Sequence, residues 1–255
     1  MRPLSDETIS LLNEAMSKTV PLDSYPSRVL PMPVERIAGT AFFPGGSGLY
    51  LEDREPASVV FPVGGVMILG HNFDSEAGFM ASVARGKEKL TSGTWAPLLR
   101  VLKEADIPLA QCFFTNAFIG LCEGNDNRKY RGRDDGAFRA ACRVFLSAQI
   151  DFQRPRLIVT LGLHVPRMIA ELSPDLSAWI GPKLRLTDID AAPLVREAGF
   201  RLGDGSTHRA VVVPIAHPSR PNGCRRKPAG FSPGRKGEIE AVRAGWRAVL
   251  TEARA

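Results

Sequence analysis

The sequence is poor in the residues that build metal centres and disulfide frameworks. Its 255 residues include four cysteines and four histidines, and no two cysteines form a C-x-x-C pair. Zinc and iron–sulfur sites draw on closely spaced ligands of these types, so neither a metal nor a cofactor is expected. Widely spaced cysteines without a pairing pattern are typical of a reducing compartment.

Long apolar runs are missing as well. No uncharged apolar stretch approaches the roughly 20 residues that a membrane-spanning helix needs. The N-terminal segment carries Asp6, Glu7 and Glu14, whereas a secretory signal has a basic start and an apolar core. These absences predict a cytoplasmic protein, associated with the nucleoid if it is bacterial. The oligomeric state stays open, with a monomer as the default.

Positive charge is in excess and is unevenly distributed. Lys and Arg number 33 against 27 for Asp and Glu, which gives a net charge of +6. The segment His217–Gly237 contains six basic residues and no acid, and Arg128–Arg133 contains four bases beside Tyr130. Basic loops rich in Gly and Pro suit phosphates because they offer both charge and free backbone N–H groups. A merely solvated loop is the alternative.

Strand-like and helix-like segments alternate along the chain. Four short, almost continuously apolar runs predict strands that are covered on both faces: Val66–Leu69, Cys112–Phe118, Leu157–Leu161 and Ala210–Ile215. Apolar residues at helical spacing predict helices around Asp6–Ser17, Trp95–Leu102, Phe138–Phe145 and Lys236–Ala253. The alternation predicts an α/β fold, a three-layer α/β/α sandwich around a four-stranded, mainly parallel sheet.

Two segments do not fit this pattern. Residues 1–60 are rich in Pro and Gly after their single helix, so we expect an irregular N-terminal arm packed on an α/β domain of residues 61–255. Residues 172–205 have no clear periodicity, which predicts an insertion between the third and fourth strands.

Polar residues follow the predicted strands at the point where each one ends. The four ends are Gly70-His71-Asn72-Phe73-Asp74, Thr115-Asn116, Gly162-Leu163-His164 and His217-Pro218-Ser219. Functional groups of a parallel sheet collect at the carboxyl ends of its strands, so these side chains are candidates for one site. Each alone has a structural explanation as a turn or helix start. Their joint occurrence favours a functional site.

The order of these motifs resembles the uracil-DNA glycosylase superfamily over roughly residues 60–250. In that family a Gly-containing loop after the first strand positions the hydrolytic water. An Asn after the second strand reads the base, and the fourth strand runs into His-Pro-Ser. Here these correspond to Gly70–Asn72, Asn116 and His217–Ser219. The first motif is of the Asn type, and the cysteine ligands of the iron–sulfur branch are absent.

The resemblance implies a monofunctional DNA glycosylase that flips a damaged or mismatched base out of DNA and leaves an abasic site. The residues implied are catalytic Asn72 and His217; base-binding Gly70, His71, Asn116 and Phe79, with Phe73 as second candidate for stacking; and DNA-binding Ser219, Arg220, Asn222, Arg225, Arg226 and Lys227. Uracil, thymine in a mismatch and a deaminated purine are all open as substrates.

Two other functions compete with this one. Asn72 cannot act as a general base, so a non-catalytic DNA- or nucleotide-binding protein on the same fold is the alternative. Asp74 is a candidate for the missing carboxylate, but a role at a helix start is favoured. A hydrolase or nucleotide-binding enzyme lacks its G-x-S-x-G, P-loop or G-x-G-x-x-G motif. We expect His164 at a helix start and His208 in a solvated turn.

Overall fold

The computed structural model describes residues 5–32, 37–52, 54, 59–91, 93–127, 130–181, 185–191, 193–220 and 226–252. Its helices are α1 (Ser5–Thr19), α2 (Glu76–Arg85), α3 (Trp95–Glu104), α4 (Gly136–Gln153), α5 (His164–Ala170), α6 (Leu186–Asp190) and α7 (Arg235–Glu252). Its strands are β1 (Val29–Leu30), β2 (Val66–Gly70), β3 (Cys112–Asn116), β4 (Leu121–Cys122), β5 (Leu157–Leu161), β6 (Arg196–Arg201) and β7 (Thr207–Ile215). Among the described residues, no helix is long and apolar enough to cross a membrane.

A five-stranded sheet in the order β3-β2-β5-β7-β6 forms the centre of the molecule. The first four of these strands are parallel, and β6 pairs antiparallel with β7. Strands β2, β3 and β5 are buried along their whole length, which explains their unbroken apolar sequences. The expected α/β fold with a mainly parallel sheet is therefore confirmed.

The expectation of four strands is wrong, because a fifth strand lies inside residues 172–205. Strand β6 has the sequence Arg-Glu-Ala-Gly-Phe-Arg, in which only Ala198 and Phe200 are buried. It lies at the edge of the sheet, so charged residues are tolerated there and the apolar signal is weak. It pairs with residues 207–212 of β7, a strand that extends the predicted fourth strand back to Thr207.

Helices cover the sheet as their apolar spacing predicts. On α3 the buried residues include Trp95, Leu98 and Leu102. Helix α3 packs against α7, and α1 packs against α4. Helix α7 also packs against β5 and β7, and its first turn, with Glu238, lies at the carboxyl end of β7.

Part of the N-terminal arm lies along the outer edge of β3. Phe43 donates its N–H to the Phe114 carbonyl at 2.9 Å, and the Phe114 N–H donates to Gly48 at 2.7 Å. Phe42, Phe43, Leu49 and Leu51 are buried in the same core as the sheet. These contacts cover backbone groups that an edge strand otherwise leaves unpaired. The domain boundary at residue 60 stays a prediction.

Candidate active site

A cleft of about 1340 Å³ opens at the carboxyl edge of the sheet. The loops that follow β2, β3, β5 and β7 all contribute to its wall, as expected for strand ends of a parallel sheet. The lining residues taken from these loops include Gly70, His71, Asn72, Asn116, His164, His217 and Ser219. The structure therefore brings the four predicted strand ends together around one cavity.

Asn116 is the last residue of β3 and lies beside Gly70, its partner in the sheet register. The side chain is 2% exposed, and its Nδ2 donates to the Phe43 carbonyl at 3.2 Å. The Asn116 Oδ1 occupies the space that a Cβ on residue 70 would need. Glycine at position 70 is thus required for the Asn116 carboxamide to reach the cleft wall.

The turn that carries His217 is held from behind by α7. The Glu238 carboxylate accepts the Ala216 N–H at 2.6 Å. Arg235 donates to the Ala216 carbonyl at 3.2 Å and to the Arg220 carbonyl at 3.1 Å. The backbone on both sides of His217 is thereby fixed by two residues from one helix end.

His217 itself is uncharged at neutral pH. Burial, followed by the nearby Arg220 and Arg235 charges, lowers the pKa of its imidazole to about 4. Its Nδ1 lies 2.9 Å from the Ser219 hydroxyl. With that hydroxyl donating to Nδ1, Nε2 carries the proton and is the donor for the cleft. Gly162, with φ of +88°, lets the His217 Cβ approach the end of β5 closely.

The Asn72 carboxamide is fixed by contacts at both of its polar atoms. His71 Nδ1 lies 2.7 Å from Asn72 Oδ1 and is the donor of that pair. Asn72 Nδ2 donates to Asn127 Oδ1 at 2.8 Å and to the Asp74 carbonyl at 3.3 Å. A second lone pair on Oδ1 remains for a water molecule. The amide can hold and orient such a water, but it cannot take its proton.

Three of the four histidines line this cleft, and we call His71, His164 and His217 its histidine side. The rings of His71 and His164 are 5.4 Å apart, and Arg133 lies 2.9 Å from His164 Nε2 as the donor. Burial lowers the pKa of His71 to about 3 and that of His164 to about 4. His164 is the first residue of α5, as expected.

A second group of lining residues combines aromatic rings with acids, and we call Phe42, Asp74, Glu88 and Trp95 the carboxyl side. The Phe42 and Trp95 rings are 5.1 Å apart. Burial, reinforced by repulsion from Asp74, raises the pKa of Glu88 to about 7. Burial also raises the pKa of Asp74. Burial thus disfavours the charged form of both carboxyl groups on this wall.

Phe79 does not line the cleft, so the prediction that it stacks on a base is wrong. The side chain is 1% exposed and packs with Ile37, Ala41 and Leu121. Helix α2 turns it inward, where it meets the Phe73 ring at 5.4 Å. Phe73 and Phe42 line the cleft in its place.

Arg226 is an internal residue, so the prediction that it grips phosphates is wrong. It is 2% exposed. Its guanidinium donates to Asp190 at 3.0 Å, to Glu238 at 2.8 Å and to the Pro214 carbonyl at 2.9 Å. Three acceptors leave this group no free donor edge for DNA. It instead anchors the chain after the basic loop to β7 and α7.

The other predicted DNA-binding residues fall into two groups. Ser219 and Arg220 are exposed on the cleft wall, and Lys227 is exposed next to buried Arg226. Asn222 and Arg225 lie outside the described residues. The described part of the basic loop thus places one arginine and one hydroxyl beside His217.

Two further expectations need correction. His208 lies on β7 rather than in a solvated turn, and its Nε2 is 2.8 Å from the Pro155 carbonyl. The residue that caps α2 is Ser75, whose hydroxyl accepts the Gly78 N–H at 3.2 Å. Asp74 accepts the Ser75 N–H at 2.7 Å, and its carboxyl group lines the cleft instead.

Several residues of the site are missing from the sequence prediction. Phe42 lies in the irregular arm, and Glu88 lies in the charged stretch Arg85–Lys89, which is typical of a solvated surface. No sequence pattern distinguishes either one. Glu238 is different, because it falls three and four residues before Ala241 and Val242 on the buried face of α7. An acid on an apolar helix face indicates a buried partner.

A family model described as the Uracil DNA glycosylase superfamily matches residues 84–238, more than half of the chain. The chain belongs to the uracil DNA glycosylase superfamily. The matched region includes Glu88, Asn116, His164 and His217, whereas the Gly70–Asn72 motif and the arm precede it. A search of the curated proteins finds no match.

Proposed function

We propose that the protein is a DNA glycosylase that hydrolyses the N-glycosidic bond of a flipped uracil or a related deaminated or mismatched base. The observation that supports this most is the convergence of Asn72, Asn116 and His217, from three different strand ends, on one cleft. Membership of the uracil DNA glycosylase superfamily implies a DNA substrate. The product is an abasic site, and the proposal needs no cofactor.

Base recognition is assigned to Asn116. A carboxamide presents a donor and an acceptor side by side, which matches the O4 and N3–H edge of uracil. Because Nδ2 is already bonded to the Phe43 carbonyl, the amide cannot rotate freely and its two polar atoms keep their places. A fixed amide distinguishes this edge from that of cytosine, in which the donor and acceptor are exchanged.

Bond cleavage is assigned to His217 and Asn72. The departing base gains negative charge, and a neutral imidazole N–H aimed at it stabilises that charge. Asn72 Oδ1 orients the water that attacks C1′. Since an amide takes no proton, the rate depends on charge stabilisation rather than on general-base catalysis.

The surroundings of the cleft favour a nucleic-acid substrate. Arg220 and Ser219 lie beside His217 on the cleft wall, and Lys227 is exposed. Phosphates on either side of a flipped nucleotide need such cationic and hydroxyl partners to offset the few kcal/mol that flipping costs.

The test is a base-release assay under single-turnover conditions. Oligonucleotides carry uracil, a U:G or T:G pair, hypoxanthine or xanthine, single- and double-stranded, and abasic sites are cleaved with alkali. We expect the wild type to release the base, and we expect His217→Ala to reduce the release rate by about 100-fold or more. His208→Ala is the matched control, because His208 lies away from the cleft on β7, and it keeps the rate.

Three results contradict the proposal or part of it. Release that His217→Ala retains removes His217 from the mechanism. No release together with salt-sensitive DNA binding supports the non-catalytic alternative. Neither release nor binding contradicts both functions.

A further inference from the structure

The two polar atoms of the Asn72 carboxamide are distinguished by what they contact. One of them lies 3.3 Å from the Asp74 carbonyl, and a backbone carbonyl accepts hydrogen bonds but never donates them. The atom on that side is therefore Nδ2, which also donates to Asn127 Oδ1 at 2.8 Å. It follows that Oδ1 is the atom that faces His71.

This orientation of Asn72 fixes the tautomer of His71. Because Oδ1 only accepts, the His71 Nδ1 that lies 2.7 Å from it carries the proton and donates. A neutral imidazole has a single N–H, so Nε2 is left as an acceptor. Nε2 is buried, and among the described residues no group donates to it. The tautomer is the reverse of that of His217, in which Nε2 carries the proton.

Neighbouring rings hold the His71 ring against Asn72. Its centroid lies 5.0 Å from that of Phe118, 5.3 Å from that of Tyr130 and 5.4 Å from that of His164. The His71 carbonyl accepts the Phe118 N–H at 2.8 Å, which fixes the backbone of the same residue. The Nδ1–H is therefore a donor at a fixed position.

The contact from His71 is the shortest of the three that hold the Asn72 amide. Of the two contacts of Nδ2, one spans 3.3 Å and the other goes to the exposed side chain of Asn127. The terminal torsion of an asparagine is broad, so an amide without a firm partner samples several orientations. The bond from Nδ1 takes one lone pair of Oδ1 and leaves the second in a defined direction.

We propose that His71 is a positioning residue, whose Nδ1–H holds Asn72 Oδ1 so that the amide directs its second lone pair at the hydrolytic water. This inference rests on the proposed glycosylase function and adds a residue to its mechanism. Since Asn72 takes no proton, it contributes through geometry, and a misplacement of about 1 Å can lower a rate about 100-fold. In this role His71 acts through Asn72, which differs from the base-binding role that the resemblance implies.

Two substitutions of His71 separate hydrogen bonding from packing. His71→Phe keeps an aromatic ring and loses the donor. His71→Asn loses the ring, but its Nδ2 is bonded to Cγ, as Nδ1 is in histidine, and so keeps a donor in the same place. We expect His71→Phe to lower the single-turnover rate of base release about 100-fold, and His71→Asn to stay closer to the wild-type rate. Packing alone predicts the reverse order.

A double-mutant cycle tests whether the effect passes through Asn72. Asn72→Ala removes the acceptor of the Nδ1–H, so adding His71→Phe to it is expected to lower the rate no further. His208→Phe is the matched control, because it makes the same change on β7, away from the cleft, and it keeps the rate.

Two further measurements do not depend on turnover. Binding of an oligonucleotide with an uncleavable 2′-fluoro analogue of deoxyuridine is expected to be the same for His71→Phe and the wild type, since the residue acts on the attack and not on the base. NMR of the ring nitrogens identifies the tautomer directly. We expect a protonated Nδ1 in His71 and a protonated Nε2 in His217.

The possible results distinguish this inference from the function on which it rests. Base release by His71→Phe at the wild-type rate contradicts the inference and leaves the glycosylase function intact, and so does a protonated Nε2 in His71. A further fall in rate when His71→Phe is added to Asn72→Ala also contradicts it. Absence of release from every oligonucleotide by the wild type contradicts the glycosylase function and this role with it.

Discussion

Burial shifts the pKa values on the two sides of the cleft in opposite directions. On the histidine side, burial lowers the pKa of three imidazoles below neutrality. On the carboxyl side, it raises the pKa of Glu88 to about 7. On both walls burial therefore shifts the pKa values in the direction that favours the uncharged form. Such an interior suits an uncharged base.

The two sides also differ in what holds them in place. The turn of the histidine side is fixed by Glu238 and Arg235 of α7, within the region that matches the superfamily. On the carboxyl side Glu88 and Trp95 lie inside that region and Phe42 of the arm lies outside it, and on the histidine side His71 also lies outside it. Each side therefore combines residues from inside and outside the region that matches the superfamily.

The largest effect is expected from the ion cluster behind the histidine side. Arg226→Met leaves Asp190 buried without its arginine and removes one of the two arginines that pair with buried Glu238, which costs on the order of 3–5 kcal/mol of unfolding free energy. Urea unfolding at neutral pH measures this loss. Lys227→Met is the matched control, because the Lys227 side chain is next in the chain but exposed. It is expected to change the unfolding free energy little. Equal stabilities of the two variants would contradict the structural role of Arg226.

The next largest effect concerns the glycine between the two sides. A Cβ on residue 70 would collide with Asn116 Oδ1, so Gly70→Ala displaces the amide. We expect release of every base to fall by up to about 100-fold. Gly136→Ala is the control, because a Cβ there meets no atom within 4 Å. If Gly70→Ala slowed the release of uracil but not the release of purines, the two kinds of base would not share Asn116.

The two sides should respond to pH with opposite signs. The histidines have pKa values of about 3 to 4 when folded against a reference of 6.5. Their contribution to stability is therefore complete above pH 6.5 and is lost as the pH falls toward 4. Glu88, raised from 4.5 to about 7, contributes stability below pH 4.5 that is lost as the pH rises to 7.

Because the three histidines outnumber Glu88 and Asp74, whose pKa values are raised, the protein is expected to be less stable at pH 5 than at pH 7. One pKa unit corresponds to about 1.4 kcal/mol, so a loss of at least that size is expected in urea unfolding. Glu88→Gln should stabilise the protein at pH 8 more than at pH 5. A stability that is unchanged between pH 5 and 7 would show that the histidines are not desolvated.

The smallest effect is expected at the mouth of the cleft. If Arg220 contacts a phosphate, Arg220→Ala reduces the slope of log Kobs against log salt by about 0.9. Lys18→Ala, on α1, removes the same charge away from the cleft and should leave the slope unchanged. Equal slopes for wild type and Arg220→Ala would remove this residue from the DNA interface.

The sequence predicts the part of the structure that repeats a pattern. Strands β2, β3 and β5 are apolar because both faces are covered, and their ends carry Asn72, Asn116 and His164 as expected. Strand β6 was not predicted because an edge strand tolerates charge on its exposed positions. Phe79 and Arg226 were assigned by spacing and charge, but burial, which spacing does not reveal, gives both a structural role.

The carboxyl side lies beyond sequence reasoning for a different reason. Its four residues come from four separate parts of the chain: Phe42 from the arm, Asp74 from the loop after β2, Glu88 from the turn after α2, and Trp95 from α3. Only the tertiary fold brings them together. The raised pKa of Glu88 arises from burial and from Asp74. Neither the burial of Glu88 nor its proximity to Asp74 can be predicted from the residues next to Glu88 in the sequence.

The central claim, that both sides of the cleft contact one base, is tested most directly by NMR. The three tryptophans give indole N–H signals, and Trp95 lines the cleft whereas Trp179 and Trp246 are buried elsewhere in the core. The probe is an oligonucleotide with an uncleavable 2′-fluoro analogue of deoxyuridine. We expect shifts of the Trp95 indole and the His217 imidazole, but not of Trp179 or Trp246, with no such shifts for an oligonucleotide of normal bases. A shift of only one of the two cleft signals would contradict the claim.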